Sequence, residues 1–281
     1  MAKSVEQVLE EALELGDEGR WDDMARRLAD ALGRAPDDPY LLCWLGVAEQ
    51  ELGNEGSAYD HFRRCLDQDP LDPHLLAVAG AGLAAFDDPD AETALRAAAL
   101  SGPDLPITRL QYGAYLAREG VFDEALEHLE AAAELDAGDP TIRGELGVAL
   151  ALQGDLEAAA EAMEMAVDLA PDDSWTRALL GLIYLEAGRE EEAAEALVQA
   201  AGERDDDVET NVVAALAAAA LGWDEAAHTA LARAEIGASP TEARLVQEAE
   251  ERILDGAEAA RRMLRDALAP SILRERLAEP L

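Results

Sequence analysis

The chain has 281 residues; 49% are hydrophobic but only 4% are aromatic, so its core must be built from Ala, Leu, Val and Met rather than from rings. Against 61 Asp and Glu stand 22 Lys and Arg, a net charge of -39. Such a surface repels phosphate and argues against nucleic-acid binding by counterion release and against docking on an anionic membrane. Cys43 and Cys65 are too few for a disulfide framework.

The first residues, MAKSVEQVLEEALEL, have no apolar stretch of signal-peptide type, and the longest apolar run, 212–223, is short and Ala-rich. A soluble, cytoplasmic protein is expected. Two readings of the acidity stay open. One is adaptation to molar salt, where screening over roughly 3 Å relieves self-repulsion. The other is a moderately acidic scaffold with a GC-rich codon bias, which also favours Ala, Arg and Glu and leaves Lys3 as the single lysine.

Taken in order, the chain is punctuated by glycines. Gly19, Gly53, Gly120, Gly154, Gly188, Gly222 and Gly256 are spaced by 34 residues, except for 67 between Gly53 and Gly120. The missing turn falls at Asp87, in AAFDDPDAET, where one residue has been deleted. Ala and Leu dominate between the turns and β-branched residues are sparse, which predicts helices throughout. Pro39, Pro73, Pro106 and Pro140 are placed to open helices, and Pro36, Pro70, Pro103 and Pro171 to follow them. Eight helix–turn–helix units result, at about 5–38, 39–72, 73–105, 106–139, 140–173, 174–207, 208–241 and 242–269.

The units share a side-chain template. Leu146-Gly147, Gly154, Ala159, Met163 and Ala166 recur one period on as Leu180-Gly181, Gly188, Ala193, Leu197 and Ala200, with Tyr184 beside them. A small residue on the first helix lets the second approach, and a large residue fills the space between neighbours. Period and residues together resemble the tetratricopeptide repeat. That resemblance implies an all-α solenoid of about eight 34-residue repeats in a right-handed superhelix, residues 1–269, with a short amphipathic tail at 270–281.

The ends depart from the template, as caps do. Unit one carries Glu11-Ala12 in place of Leu-Gly and is expected to expose Glu10, Glu11, Glu14 and Asp17. Unit eight carries Arg261 and Arg265 where apolar residues are expected. After Pro270 a short helix is predicted, N-capped by Ser271, with Ile272, Leu273 and Leu277 apolar. Residues 257–281 hold five Arg against four acids, so this is the one segment electrostatically suited to dock on the rest.

Signals of catalysis are poor. Gly80-Ala81-Gly82-Leu83-Ala84-Ala85 fits a loose dinucleotide fingerprint, but it lies inside a first helix rather than between a strand and a helix. His61 and Cys65 are i,i+4 on one helix with Cys43 nearby, yet Cys65 takes a small core position where a free thiol packs. His128 and His228 stand apart. The acid runs 190–192 and 205–207 lack a calcium-loop pattern and read as solvated faces. No enzyme activity, cofactor or metal is expected.

In the resembled family, positions 2, 5, 9 and 12 of each first helix line a concave groove. Carried over, position 2 reads Tyr40, His74, Ile107, Thr141, Trp175 and Glu209. Position 5 includes Cys43, Leu110 and Val212. Position 9 includes Val47, Ala114, Val148, Leu182 and Leu216, and position 12 includes Leu185. Charge is almost absent from these positions in a chain that is 30% charged. The Lys, Arg and Asn that grip the C-terminal carboxylates of heat-shock chaperones are missing as well. The resemblance therefore implies an interaction scaffold or adaptor whose groove takes an apolar or amphipathic helix or peptide of another protein. An alternative is self-association, in which one chain's C-terminal helix fills the next chain's groove. Self-occlusion of the groove by the chain's own tail is a further possibility.

If the acidity is an adaptation to salt, the melting temperature rises steeply between about 0.1 and about 3 M salt; a flat response removes that reading.

Overall fold

A computed structural model describes residues 4–203 and 207–278, and every structural statement below concerns these. Asp205 and Asp206 of one acid run, and the last three residues of the tail, lie outside them. Every regular element among the described residues is a helix. They come as pairs: α1 (Val5–Asp17) with α2 (Trp21–Leu32), α3 (Pro39–Glu51) with α4 (Glu55–Leu66), and α5 (Pro73–Ala84) with α6 (Ala91–Ser101). There follow α7 (Pro106–Arg118) and α8 (Phe122–Leu135), α9 (Pro140–Gln153) and α10 (Leu156–Leu169), and α11 (Ser174–Glu186) and α12 (Glu190–Glu203). The last are α13 (Val208–Ala220) and α14 (Asp224–Gly237), α15 (Ala243–Leu254) and α16 (Ala257–Met263), a π turn at Leu264–Leu268, and α17 (Ala269–Ala278).

The helix starts follow from local chemistry. Each of the four prolines takes the first position of its helix, where its missing N–H has no intrahelical partner to lose. Asp38, Asp72, Asp139 and Asp173 accept from the first-turn amides that follow them. Before α7 no side chain caps; the buried Thr108 instead donates to the carbonyls of Gly102 and Leu105, at 2.6 and 2.8 Å. Asp87 stands in for the missing glycine with φ 53°, a left-handed conformation that Asp tolerates better than most residues.

The chain divides into two compact units. One comprises the chain up to Glu119 with Glu127–Leu135, the other Gly120–Leu126 with the chain from Asp136 on. In the first unit Phe62 of α4 is wedged between two first helices: a Cβ on Gly46 would meet its ring at 2.7 Å and one on Gly82 at 2.3 Å. In the second, Gly147 lies against Met163 and Gly181 against Leu197 in the same way. The small-against-large template is thus a set of real contacts. At the chain start Glu10, Glu14 and Asp17 are exposed as expected, while Glu11 pairs with Arg27 of α2.

The last pair breaks the pattern. Six turn glycines have φ between 70° and 95°, but Gly256 has φ 104° and ψ 172°, a region open essentially to glycine alone. The chain beyond it does not run back along α15 as a regular second helix. Instead α16 packs chiefly on α13, and α17 packs on α11 and reaches α9. The expected stop at Pro270 with a cap at Ser271 is also corrected. Pro270 is the second residue of α17, and Ala269 N–H bonds the carbonyl of Leu264, five residues back. Widening the turn by one residue carries the helix past a residue that cannot donate.

Gly256→Ala should therefore lower stability by about 1–3 kcal/mol and strip amide-exchange protection from α16 and α17 before any other helix. Unchanged protection there would show that the glycine conformation does not seat this segment.

Candidate protein-interaction site

Residues spaced i, i+3 and i+7 share one face of a helix, and the sequence places its site residues on that face of successive first helices. In the first unit the face is partly open. Tyr40 and His74 are exposed and Val47 and Ile107 half-buried, whereas Cys43, Leu110 and Ala114 are buried. The Tyr40 hydroxyl donates to Asp72 at 2.7 Å, which pushes its ionisation up, and Trp44 lies 5.9 Å from the His74 ring.

In the second unit the same face is covered. Val148, Leu182, Leu185, Val212 and Leu216 are at most 3% exposed, while Trp175 stays half-buried, as do Thr141 and Glu209 at the same repeat position. They share one buried cluster with Met263, Leu264, Ala269, Ile272, Leu273 and Leu277 of the C-terminal segment. What lies on the face is therefore an amphipathic helix, and it belongs to the same chain. Self-occlusion, which the sequence left open, is the arrangement seen.

Polar contacts fix this helix at both ends of α13. Arg261 donates to the carbonyl of Ala220 at 2.8 Å, closing the C-terminal end, and also reaches Glu190 at 3.2 Å. Arg265 meets the other oxygen of Glu190 at 3.1 Å. At the opposite end Arg276, itself buried, donates to the Thr210 hydroxyl at 2.8 Å and lies 3.4 Å from Glu209 and 3.6 Å from Asp207. A cation at a helix N-terminus opposes the helix dipole. The two carboxylates reverse that sign. Asp207 also accepts from the amide and hydroxyl of Thr210, which holds the hydroxyl oxygen toward Arg276. Burial lifts the carboxyl of Glu209 above the usual glutamate range, against the pull of Arg276.

These arginines are what the sequence reading missed as site residues. Their signal was present as the excess of arginine after residue 256 and as two arginines at apolar template positions. Which carboxylates they meet was not visible, because Glu190 lies 71 residues from Arg261 and Glu209 lies 67 from Arg276.

The candidates for chemistry are placed as follows. Gly80 to Ala84 lie within α5, where Gly80 accommodates Leu95. Cys43 and Cys65 are both buried; the hydrogen bond the Cys43 thiol makes to Cys65, with burial, pushes its ionisation well up. Burial lowers the half-buried His61. His128 stacks edge-on to Tyr112 at 4.9 Å beside Arg109, and His228 bonds the Asp224 carbonyl. Among the described residues no group of three or more His, Cys, Asp and Glu is arranged to hold a metal, and no helix is long and apolar enough to cross a membrane.

Comparison with known proteins agrees with the repeat. The family described as Tetratricopeptide repeat matches residues 9–73 and 113–174. No curated protein sequence matches significantly. Among solved structures, the thermophilic TPR protein TTC0263 of Thermus thermophilus is 25% identical with a TM-score of 0.54, over 65% of this chain and all of that one. PilF of Pseudomonas aeruginosa is 18% identical with a TM-score of 0.58, over 76% and 98% of the two chains. The human IFIT1 dimer with PPP-AAAA is 14% identical with a TM-score of 0.72, over 98% and 72%. At such identities the last two show the fold alone. With its matched repeats, its glycine register and its stacked helix pairs, the chain belongs to the tetratricopeptide-repeat family, whose members are in general protein-interaction scaffolds.

Proposed function

We propose that the chain is a non-catalytic scaffold that holds an apolar or amphipathic helix of another protein on the face formed by α9, α11 and α13. The observation that carries this reading is the helix already lying there. The chain's own α16–α17 segment is a sample of what the face accepts: a row of Ile, Leu and Met side chains with arginines at its edges. A partner helix of the same character would take its place. The buried pair Cys43 and Cys65 supports the non-catalytic part, since an inaccessible thiol with a raised pKa is a poor nucleophile.

Self-association is the second reading, favoured by one observation. The cover is joined to α15 by Asp255 and Gly256 alone, and Gly256 takes a backbone conformation open essentially to glycine. Re-pointing it would seat the same helix on a second copy.

A chain carrying Leu273→Glu, which places a charge in the buried seat of α17, should release its own helix. It should then bind a synthetic peptide of residues 257–278 with a Kd of roughly micromolar order, at least about tenfold tighter than wild type does. Leu277→Glu serves if the first variant does not fold. A helical, monomeric variant that ignores the peptide sinks the groove reading, and a wild type that is dimeric by light scattering favours self-association.

The seat is also sensitive to pH. A carboxyl raised on burial favours the covered state most below the usual glutamate range, and that contribution is lost as pH rises through the raised value. Relative to Glu209→Gln, wild type should lose exchange protection in α17 as pH rises from about 5 to about 7.5; parallel profiles would count against it.

A further inference from the structure

We propose that the first turn of α13 selects its partner by arginine: the helix that displaces α17 carries a guanidinium one position before an apolar residue and three and four after two others, as Arg276 stands to Leu277, Leu273 and Ile272. This rests on the groove reading above and names the partner's chemistry.

The reason lies in how the seat is built. Thr210 is buried, and its hydroxyl donates to Asp207 at 2.7 Å, leaving its oxygen free to accept from Arg276. Asp207 is held in turn by the Thr210 amide at 2.9 Å. One acceptor is thus oriented by the helix cap itself, before any ligand arrives. Glu209 adds a second carboxylate from the side, and Asp207 contributes its own charge. A guanidinium presents several donors in one plane and can reach acceptors spread over this turn, whereas an ammonium is a compact point charge and is more strongly hydrated. In a seat where the ligand's side chain is only 9% exposed, that difference in hydration counts against lysine.

The seat is specific to this repeat. At α11 the same cap recurs: Thr176 donates its hydroxyl to Asp173 at 2.6 Å. There, however, position 2 is Trp175, and the cap has an oriented acceptor without the second carboxylate. Of the position 2 residues Tyr40, His74, Ile107, Thr141, Trp175 and Glu209, only the last is acidic. The other end of the helix is read less strictly. Arg261 and Arg265 share Glu190 with side chains 32% and 46% exposed, and pairs so open to solvent contribute little.

The test uses the full chain with Leu273→Glu, its own helix released, and labelled peptides of residues 257–278 read by fluorescence anisotropy. The peptide with Arg276 should bind at least about tenfold tighter than peptides with Lys or Leu at that position. The preference for arginine over lysine should collapse when the chain also carries Glu209→Gln or Thr210→Val. If all three peptides bind alike, the arginine seat is overturned while the groove reading stands. If none binds to a chain whose helicity is intact, the groove reading itself falls and takes this inference with it. Should Leu273→Glu not fold, Leu277→Glu replaces it under the same criteria.

Discussion

Only Glu209 of α13 keeps a side chain partly in water. Val208 and every residue from Thr210 to Ala220 are buried, and a helix apolar all round must be covered all round. The helices α12 and α14 cover it as a repeat normally would. What remains is the side on which other first helices of the unit carry Leu182, Leu185 and Val148. The C-terminal segment is the answer to that requirement, and its odd features follow. It must turn away from α15, so Gly256 takes a conformation its six counterparts do not. It must run past Pro270 without stopping, so the helix widens into a π turn there. It must close both polar ends of α13, so Arg261 sits where a regular repeat has an apolar residue and Arg276 follows in the tail.

Acids far outnumber arginines in a chain of net charge -39, and several arginines stand at junctions rather than on open surface. In the first unit Arg63 reaches Asp88 at 3.0 Å, and the Tyr59 hydroxyl donates to the same carboxylate at 2.8 Å. Asp88 is nearly buried; burial alone would raise its carboxyl, but the Asp90 amide, the Tyr59 hydroxyl and Arg63 together hold it below the usual range. This cluster sits on the turn where the glycine is missing and Asp87 takes its place. In the second unit Arg177 is buried and bonds Glu203 and the Pro171 carbonyl, tying the start of α11 to the end of α12. Pairs of this kind act by satisfying groups that packing has already desolvated. The exposed pairs of α2, Arg20 and Arg26 with Asp23, add little beyond local order.

The repeat itself was legible because each of its parts has a local cause. Proline at a first position, aspartate before it, glycine in the left-handed turn and small residues facing large ones are each visible within one period. Even the irregular turn was placed correctly at Asp87, since a deletion shifts the register without hiding it. The site was only half legible. Spacing put Val148, Leu182, Val212 and their companions on one face, but spacing cannot say whether that face meets water. Covering it depended on Gly256, which looks in the sequence like six other turn glycines. Nor could Pro270 be read as part of a helix, because a π turn leaves no signature in hydrophobic periodicity.

A cover tethered through the two-residue turn Asp255–Gly256 competes with any partner at high effective concentration. If the tether supplies about 1 mM and the face binds such a helix with an intrinsic Kd of about 1 µM, the face is open roughly one part in a thousand. A free helix of equal quality then binds about a thousandfold more weakly than the face allows. Apolar area alone does not overcome this, since the resident helix already fills the apolar cluster. A displacing partner must gain where the resident is weak. The Arg261–Glu190 pair is about a third open to solvent, the π turn interrupts the resident's hydrogen-bond ladder, and the desolvation of Glu209 is only partly offset by one guanidinium. A regular helix with its arginine in the same register keeps the oriented contact to Thr210 and avoids the cost of the π turn. The same imperfections that make the cover a poor permanent element make it a replaceable one.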